Sequence, residues 1–436
     1  MFPWIESEHQ LGRAREIWHA ALAAPFFAAK YAGMPAPMDW TQWRALPVLS
    51  RQELYDNAWP RTGTMLTVPP EGMIVTSTGG TSGMARYTVL THAEWDRFCA
   101  EQARALALIG VGAKDRVANL LVAGSLWPSF LGGHEIIKRL GALHLPISAN
   151  IPVETVLRFC REFQPTVMLS LPTLFVFLAD LALRDAIRFP GLRLIAYAGE
   201  HMSPAVRTHL QRAFGAEVEI HALAYTSADA GLMGYQCRRC APNAYHVPSD
   251  FQLIEVVDME RGRVAESGEE GELLVTNLAR RSQPIVRYRI GDRGCYTGEP
   301  CACGDRNPVL RLAGRAGDDF KLGGAYVAMA VVERAVETVA GRDGISPNYC
   351  LRIADEANRI ALELVVEAGD PTAAAPHAET LVGALETAIP ELGVARERGY
   401  LARLEARFVA LGSLERSPVT GKVRHLHDLR VEEPAS

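Results

Sequence analysis

The sequence predicts an α/β protein with a large N-terminal domain, residues 1–313, and a small mobile α+β C-terminal domain, residues 314–436. Three observations carry this. Short apolar runs alternate with helical segments from 92 to 223, the texture of a mainly parallel sheet with crossover helices. From about 250 the texture changes to strands and turns. Beyond the glycine-rich stretch GRAGDDFKLGG (314–324), helices and strands alternate again over a short length.

Taken in order, residues 1–60 read as helical and loop-rich, punctuated by Pro35, Pro37, Pro47 and Pro60. Residues 92–109 keep a helical period. VANLLVAG (117–124) reads as a buried strand, HEIIKRLGA (134–142) as a helix with a glycine stop, and LHLPI (143–147) opens the next strand. Helix TVLRFCREF (155–163) precedes strand TVMLSL (166–171). LRLIAYAGE (192–200) is a strand entering a glycine turn. SPAVRTHLQRAFG (203–215) is a helix with proline near its start and glycine at its end, and strand VEIHAL (218–223) follows. FQLIEVVD (251–258), GELLVTNL (271–278) and PIVRYRIGD (284–292) are strands. In the last part, 328–340 and 377–389 are helices, 359–368 and 405–411 are strands, and GDPTAAAPHAE (369–379) is a loop.

Composition narrows the function classes. The chain has 436 residues, 48% hydrophobic and 22% charged, which is ordinary for a globular protein. A net charge of -5 and a pI near 6.2 argue against bulk nucleic-acid binding. No run of apolar residues is long enough to span a bilayer; the nearest, Leu174–Leu183, is broken by Asp180. MFPWIESEHQ has early acids and no basic leader pattern, so a cytoplasmic location with no membrane partner is expected.

TSTGGTSG (76–83) joins two strand-like segments. Backbone N–H groups in such a glycine turn converge on an anion, and the hydroxyls add donors. It is neither a Walker loop nor a dinucleotide fingerprint, and alone a plain turn is the readier reading. AYTSADAG (224–231) places Tyr225 where it could stack on a purine and Asp229 where it could hold Mg²⁺; a capped turn is the plainer reading. PIVRYRIGDRG (284–294) places Asp292 in a tight loop able to accept two hydroxyls, or to pair with arginine. GRAGDDF (314–320) suits a hinge or a hairpin turn. SPVTGKVR (417–424) presents Lys422 after a Pro…Gly turn, either as a delivered charge or as a solvated lysine.

The order of these motifs resembles that of the adenylate-forming (acyl-CoA synthetase) superfamily, and within it the phenylacetate-CoA ligase-like family, from about residue 70 to about 430. The resemblance implies a large multi-layer N-terminal domain that binds ATP and a carboxylic acid, followed by a mobile lid. It implies that Thr78, Gly79, Gly80, Thr81, Ser82 and Gly83 embrace the ATP phosphates. Gly199 and Glu200 would line the adenine pocket, and Tyr225 would stack on the base. Asp229 would hold Mg²⁺, Asp292 the ribose hydroxyls, and Arg315 would approach ribose or phosphate. Lys422 would drive adenylation by contacting carboxylate and α-phosphate. The chain departs from the family pattern at Met84 (usually Lys), Ala228 (usually Thr) and Gly317 (commonly Asp).

The implied reaction joins an acid and MgATP into an acyl-adenylate, then passes the acyl group to the thiol of coenzyme A. The acid is expected to be aromatic, because Trp127 and Phe130 in GSLWPSFLGG (124–133) offer flat walls; a simple core role is the plainer reading. Two alternatives stay open: transfer to an amine or a carrier-protein thiol, and a zinc-stabilised nucleotide-binding protein without catalysis. A homodimer is compatible with the sequence.

Of eight cysteines, Cys99, Cys160 and Cys350 lie isolated in apolar contexts. Cys237-Arg-Arg-Cys240, His246 and Cys301-Ala-Cys303 instead have the spacing of a structural Zn²⁺ site around 237–303. The set is either Cys237, Cys240, Cys301 and Cys303, or Cys240, His246, Cys301 and Cys303. A redox role for the C-x-x-C is weaker, because no thioredoxin-like βαβ context surrounds it.

Overall fold

The computed structural model describes residues 7–78, 85–315, 320–322, 325–327, 329–356, 359–397, 401–416 and 422–429. It forms two compact units. The first comprises Met1–Ser170, Leu194–Gly199 and Glu219–Ala316; the second comprises Leu171–Arg193, Glu200–Val218 and Gly317–Ser436.

The first unit begins with helices α1 (Glu8–Ala21), α2 (Pro25–Lys30), α3 (Trp40–Arg44) and α4 (Arg51–Asn57). Side chains start three of them: Ser7, Asp39 and Ser50 accept from the Gln10, Gln42 and Glu53 amides, and Ser50 with Glu53 forms a capping box. Leu11, Ala14, Ile17 and Trp18 recur at three- and four-residue spacing on α1 and are buried in one core with Trp43, Leu54 and residues of the β region.

Strands β1 (Met73–Ser77) and β2 (Tyr87–Thr91) form an antiparallel hairpin, and Thr91 then caps α5 (His92–Leu108) in a second capping box with Glu94. Next come β3 (Arg116–Asn119), α6 (Ser129–Leu140), β4 (Leu143–Leu145), α7 (Val153–Phe163) and β5 (Val167–Ser170). The run read as a strand over 117–124 keeps strand form only to Asn119. Beyond it Gly124, Ser125 and Leu126 all have positive φ (94°, 52° and 60°), which no strand accommodates. With β6 (Leu194–Tyr197) and β7 (Glu219–Ala222), these strands make a parallel sheet of order β4-β3-β5-β6-β7 among the described residues. Its inner strands β5 and β6 are buried throughout, as parallel strands with both faces covered must be.

The texture change near 250 corresponds to an antiparallel region. Hairpin β8 (Tyr225–Ser227) and β9 (Gly231–Gly234) precedes β10 (Ala244–His246), β11 (Gln252–Asp258), β12 (Arg263–Val264), β13 (Gly271–Asn277), β14 (Tyr288–Tyr296) and β15 (Val309–Arg315). These last six form one sheet of order β10-β15-β14-β13-β11-β12. The strand expected from 284 starts only at Tyr288, because Arg287 turns the backbone with φ 47°. That bend buries the Arg287 guanidinium: Nε lies 3.0 Å from a Glu255 carboxylate oxygen, and Nη1 donates to the carbonyls of Arg44 and Leu46.

In the second unit, α8 (Pro172–Arg184) and α9 (Pro204–Phe214) pack against β18 (Ile345–Glu356) of a four-stranded sheet. Between them in the chain stand β16 (Phe320–Leu322), β17 (Ala325–Val327) and α10 (Met329–Glu337). The sheet is completed by β19 (Arg359–Ala368), β20 (Leu401–Ala410) and β21 (Leu426–Asp428), in the order β20-β19-β18-β21. Helices α11 (Pro371–Ala374), α12 (Ala378–Ala388) and α13 (Pro390–Glu397) cover it. Residues 371–374, read as loop, are helical because Asp370 accepts from the Thr372 and Ala373 amides and Pro371 presets the first turn. No helix among the described residues is long and apolar enough to cross a membrane.

Candidate functional site

Thr78 and Arg86 close the stem of the β1–β2 hairpin. The Thr78 amide donates to the Arg86 carbonyl (2.9 Å), and the Arg86 amide donates to Thr78 Oγ1 (3.1 Å). Gly79, Gly80, Thr81, Ser82 and Gly83 lie outside the described residues. The Arg86 side chain crosses to the β8–β9 turn, where Nε and Nη2 both lie 2.9 Å from Asp229 Oδ2. The Tyr288 hydroxyl donates to the same oxygen at 2.9 Å. Asp229 is 2% exposed, and its Oδ1 has no hydrogen-bond partner among the described residues. Arg280 Nη2 donates to the Asp229 carbonyl. Complete burial pulls Arg280 down to about 10, which leaves it charged at neutral pH. Asp229 thus meets the half-buried Arg86 guanidinium at its carboxylate and the buried Arg280 at its carbonyl, and the turn is held by Ser227, whose Oγ accepts from the Ala230 amide.

Four residues beyond Tyr288 on β14, Asp292 accepts from the Tyr225 hydroxyl at 2.6 Å. Asp292 is also in register with Arg315 across β14 and β15. Tyr225, Asp229, Asp292 and Arg315, spread over some ninety residues of chain, therefore lie in one unit, on β8, the β8–β9 turn, β14 and β15. Gly199 follows β6 with φ 76°, a conformation that favours glycine. Glu200 belongs to the second unit, where Oε2 accepts from the amide and hydroxyl of Thr173 (2.9 and 2.8 Å) at the start of α8. Lys422 also belongs to the second unit, one residue before Val423, which bridges to Arg416.

Trp127 and Phe130 are half-buried around the left-handed turn at the start of α6. A pocket nearby is lined by Pro128, between them in the chain, with Ser227, Ala228 and Arg280 of the site. Its aromatic walls are Trp95, Phe98 and Phe251, none singled out from the sequence. The signal for Trp95 and Phe98 was only their spacing on α5, which equally describes a core face.

The cysteine pairs converge. Cys237, Cys240, His246 and Cys301 each offer a donor atom within 4.8 Å of all the others. Cys237 Sγ lies 3.6 Å from both Cys240 Sγ and Cys301 Sγ. Cys303 Sγ lies 3.4 Å from His246 Nε2 but is exposed. The gathered set differs from both sets expected from spacing: it includes Cys237 and His246 together, because β10 carries His246 inward, fully buried, while Cys303 faces out. His246 Nδ1 lies 3.1 Å from the Asn307 carbonyl. A carbonyl only accepts, so Nδ1 carries the proton and Nε2 is left as a donor atom for a cation. The Arg239 amide donates to Cys237 Sγ (3.3 Å) and the Asp305 amide to Cys303 Sγ (3.4 Å). Burial pushes the Cys240 thiol up, so a thiolate there calls for a cation.

The chain is similar to known proteins over nearly its whole length. Residues 141–278 match the AMP-binding enzyme family. The phenylacetate-coenzyme A ligase of Pseudomonas putida is 25% identical over 433 residues, 97% of this chain and 94% of its own. That of Thermus thermophilus is 26% identical over 383 residues, 84% of this chain and 83% of its own. The fold is that of a crystal structure of 2-hydroxyisobutyryl-CoA ligase in the postadenylation state with 2-HIB-AMP, at a TM-score of 0.82, 22% identity, and coverage of 98% of this chain and 92% of that one. The chain is thus similar to the AMP-binding enzymes over residues 141–278 and to phenylacetate-coenzyme A ligases over most of its length.

Proposed function

We propose that the protein activates a carboxylic acid with ATP and transfers the acyl group to the thiol of coenzyme A. The acid carboxylate attacks the α-phosphate, pyrophosphate leaves, and the acyl-adenylate forms; the thiolate of coenzyme A then displaces AMP. The likeness to phenylacetate-coenzyme A ligase over 97% of the chain carries this reading. An aromatic acid is favoured, with Trp127 and Phe130, or the Trp95, Phe98 and Phe251 pocket, as its flat walls.

The chemical problem is to bring two anions together, and the residues present suit it. Asp292 would accept the ribose hydroxyls and Tyr225 would stack on the base. Arg315, in register with Asp292, would approach ribose or phosphate. Asp229 Oδ1, buried and unpartnered among the described residues, fits a cation, and Asp229 would hold Mg²⁺ there. Bound Mg²⁺ would neutralise phosphate charge. Lys422 would place positive charge on carboxylate and α-phosphate, and orientation of both substrates supplies effective molarity. The three thiols and imidazole of Cys237, Cys240, Cys301 and His246 are the donor chemistry of structural Zn²⁺, and we assign them that role.

The test is pyrophosphate release over a panel of aryl and alkyl acids, with and without coenzyme A. Multiple turnovers only with coenzyme A support the reading. Release that stays near one turnover either way points to an amine or carrier-protein acceptor. No release with any acid overturns it.

A further inference from the structure

We propose that Arg86 is a phosphate-binding residue that exchanges Asp229 for the ATP phosphates when nucleotide binds. The inference rests on the ATP reading above and assigns a cation that the family pattern leaves missing at Met84.

Three observations carry it. Arg86 follows the glycine- and hydroxyl-rich segment 76–83 in the chain with only Met84 and Ala85 between, and two hydrogen bonds to Thr78 fix its backbone at the ends of β1 and β2. Its pairing with Asp229 is lopsided. A guanidinium and a carboxylate frequently share both oxygens in a fork, which gives the pair its full geometric specificity. Here Nε and Nη2 crowd onto Oδ2, which also takes the Tyr288 hydroxyl, while Oδ1 is buried with no partner among the described residues. Finally, Oδ2 has a second donor besides Arg86, the Tyr288 hydroxyl at 2.9 Å. Asp229 is therefore not left bare by the exchange, and the unpartnered Oδ1 is the atom a cation arriving with the nucleotide would take.

The pair does two jobs in this account. Without nucleotide, Arg86 neutralises a carboxylate that is 2% exposed. With nucleotide, the same guanidinium, which has five N–H donors and uses two of them on Asp229, moves to phosphate oxygens. A simple structural ion pair has no reason to favour the phosphate-bearing ligand over its nucleoside.

Binding of MgATP and of adenosine would be measured by calorimetry for the intact chain and for Arg86→Gln, Arg86→Lys and the Arg86→Gln/Met84→Lys double variant, with melting temperatures in parallel. Arg86→Gln is expected to weaken ATP tenfold or more and adenosine less than twofold. Arg86→Lys keeps the charge but loses the fork, so its ATP affinity should fall between that of the parent and that of Arg86→Gln. Met84→Lys, which supplies a cation from a different position, should restore most of the ATP affinity lost in Arg86→Gln. If Arg86→Gln melts lower but loses ATP and adenosine affinity equally, the role is structural and the proposal is overturned. It is also overturned if ATP affinity is unchanged. If the unaltered chain binds neither ligand, the ATP reading itself fails, and the assignment of Arg86 falls with it.

Discussion

Replacing Cys301 by serine removes one of four donors that lie within 4.8 Å of one another. Zn–S bonds of about 2.3 Å at tetrahedral angles put sulfurs about 3.8 Å apart. The observed 3.6 Å separations of Cys237 from Cys240 and Cys301 match that spacing. Structural Zn²⁺ binding contributes about 10–16 kcal/mol at neutral pH, so one donor in four carries roughly 2.5–4 kcal/mol. The Zn²⁺ dissociation constant of Cys301→Ser should therefore rise about 10²–10³-fold. The cluster ties the segment after β9 to the loop before β15, so the same loss should lower the melting temperature by about 3–7 °C. Metal content by mass spectrometry and melting by calorimetry are the assays. Cys303→Ser, at an exposed position, should keep one zinc per chain. The reasoning is refuted if the untagged parent carries no zinc, or if Cys301→Ser keeps zinc and melts unchanged.

Other outcomes follow from the same geometry. Arg287→Ala leaves the Glu255 carboxylate, 6% exposed, without its partner, and should cost about 3–5 kcal/mol in urea unfolding. Burial alone would raise Glu94, but hydrogen bonds from Ser282, Arg281 and Thr91 outweigh it and hold the carboxyl below its usual 4.5. Its contribution is then full above pH 4.5 and is lost as pH falls through the lower folded value, so the stability gap between the parent and Glu94→Gln should be flat near neutrality and close in acid. Burial pushes Cys99 and Cys160 up to about 12, so both should resist alkylation at pH 8 until the chain unfolds.

Much of the fold was legible because period and punctuation agree. The parallel sheet was readable from apolar runs alternating with helices that stop at Gly141 and Gly215, and α5 from the helical period that starts at His92. The missed boundaries have local causes. The apolar run 117–124 outlasts its strand because burial continues after the chain turns left-handed at Gly124. Arg287 bends away from β14 to reach Glu255, a partner 32 residues earlier that no local pattern reveals. At the site, motif order pointed to Asp229 and Asp292, but not to Arg86 or Tyr288 as the donors on Asp229, since those contacts cross from other hairpins. Cysteine spacing foretold a cluster without deciding its members, which depends on how β10 turns His246 inward.

The most direct test of the central claim is acid-dependent exchange of labelled pyrophosphate into ATP, without coenzyme A, for the parent and Lys422→Ala. The account predicts exchange with at least one aryl acid, reduced about 10²–10³-fold in Lys422→Ala while ATP affinity is retained. Absence of exchange with every acid, or equal exchange in Lys422→Ala, would contradict it.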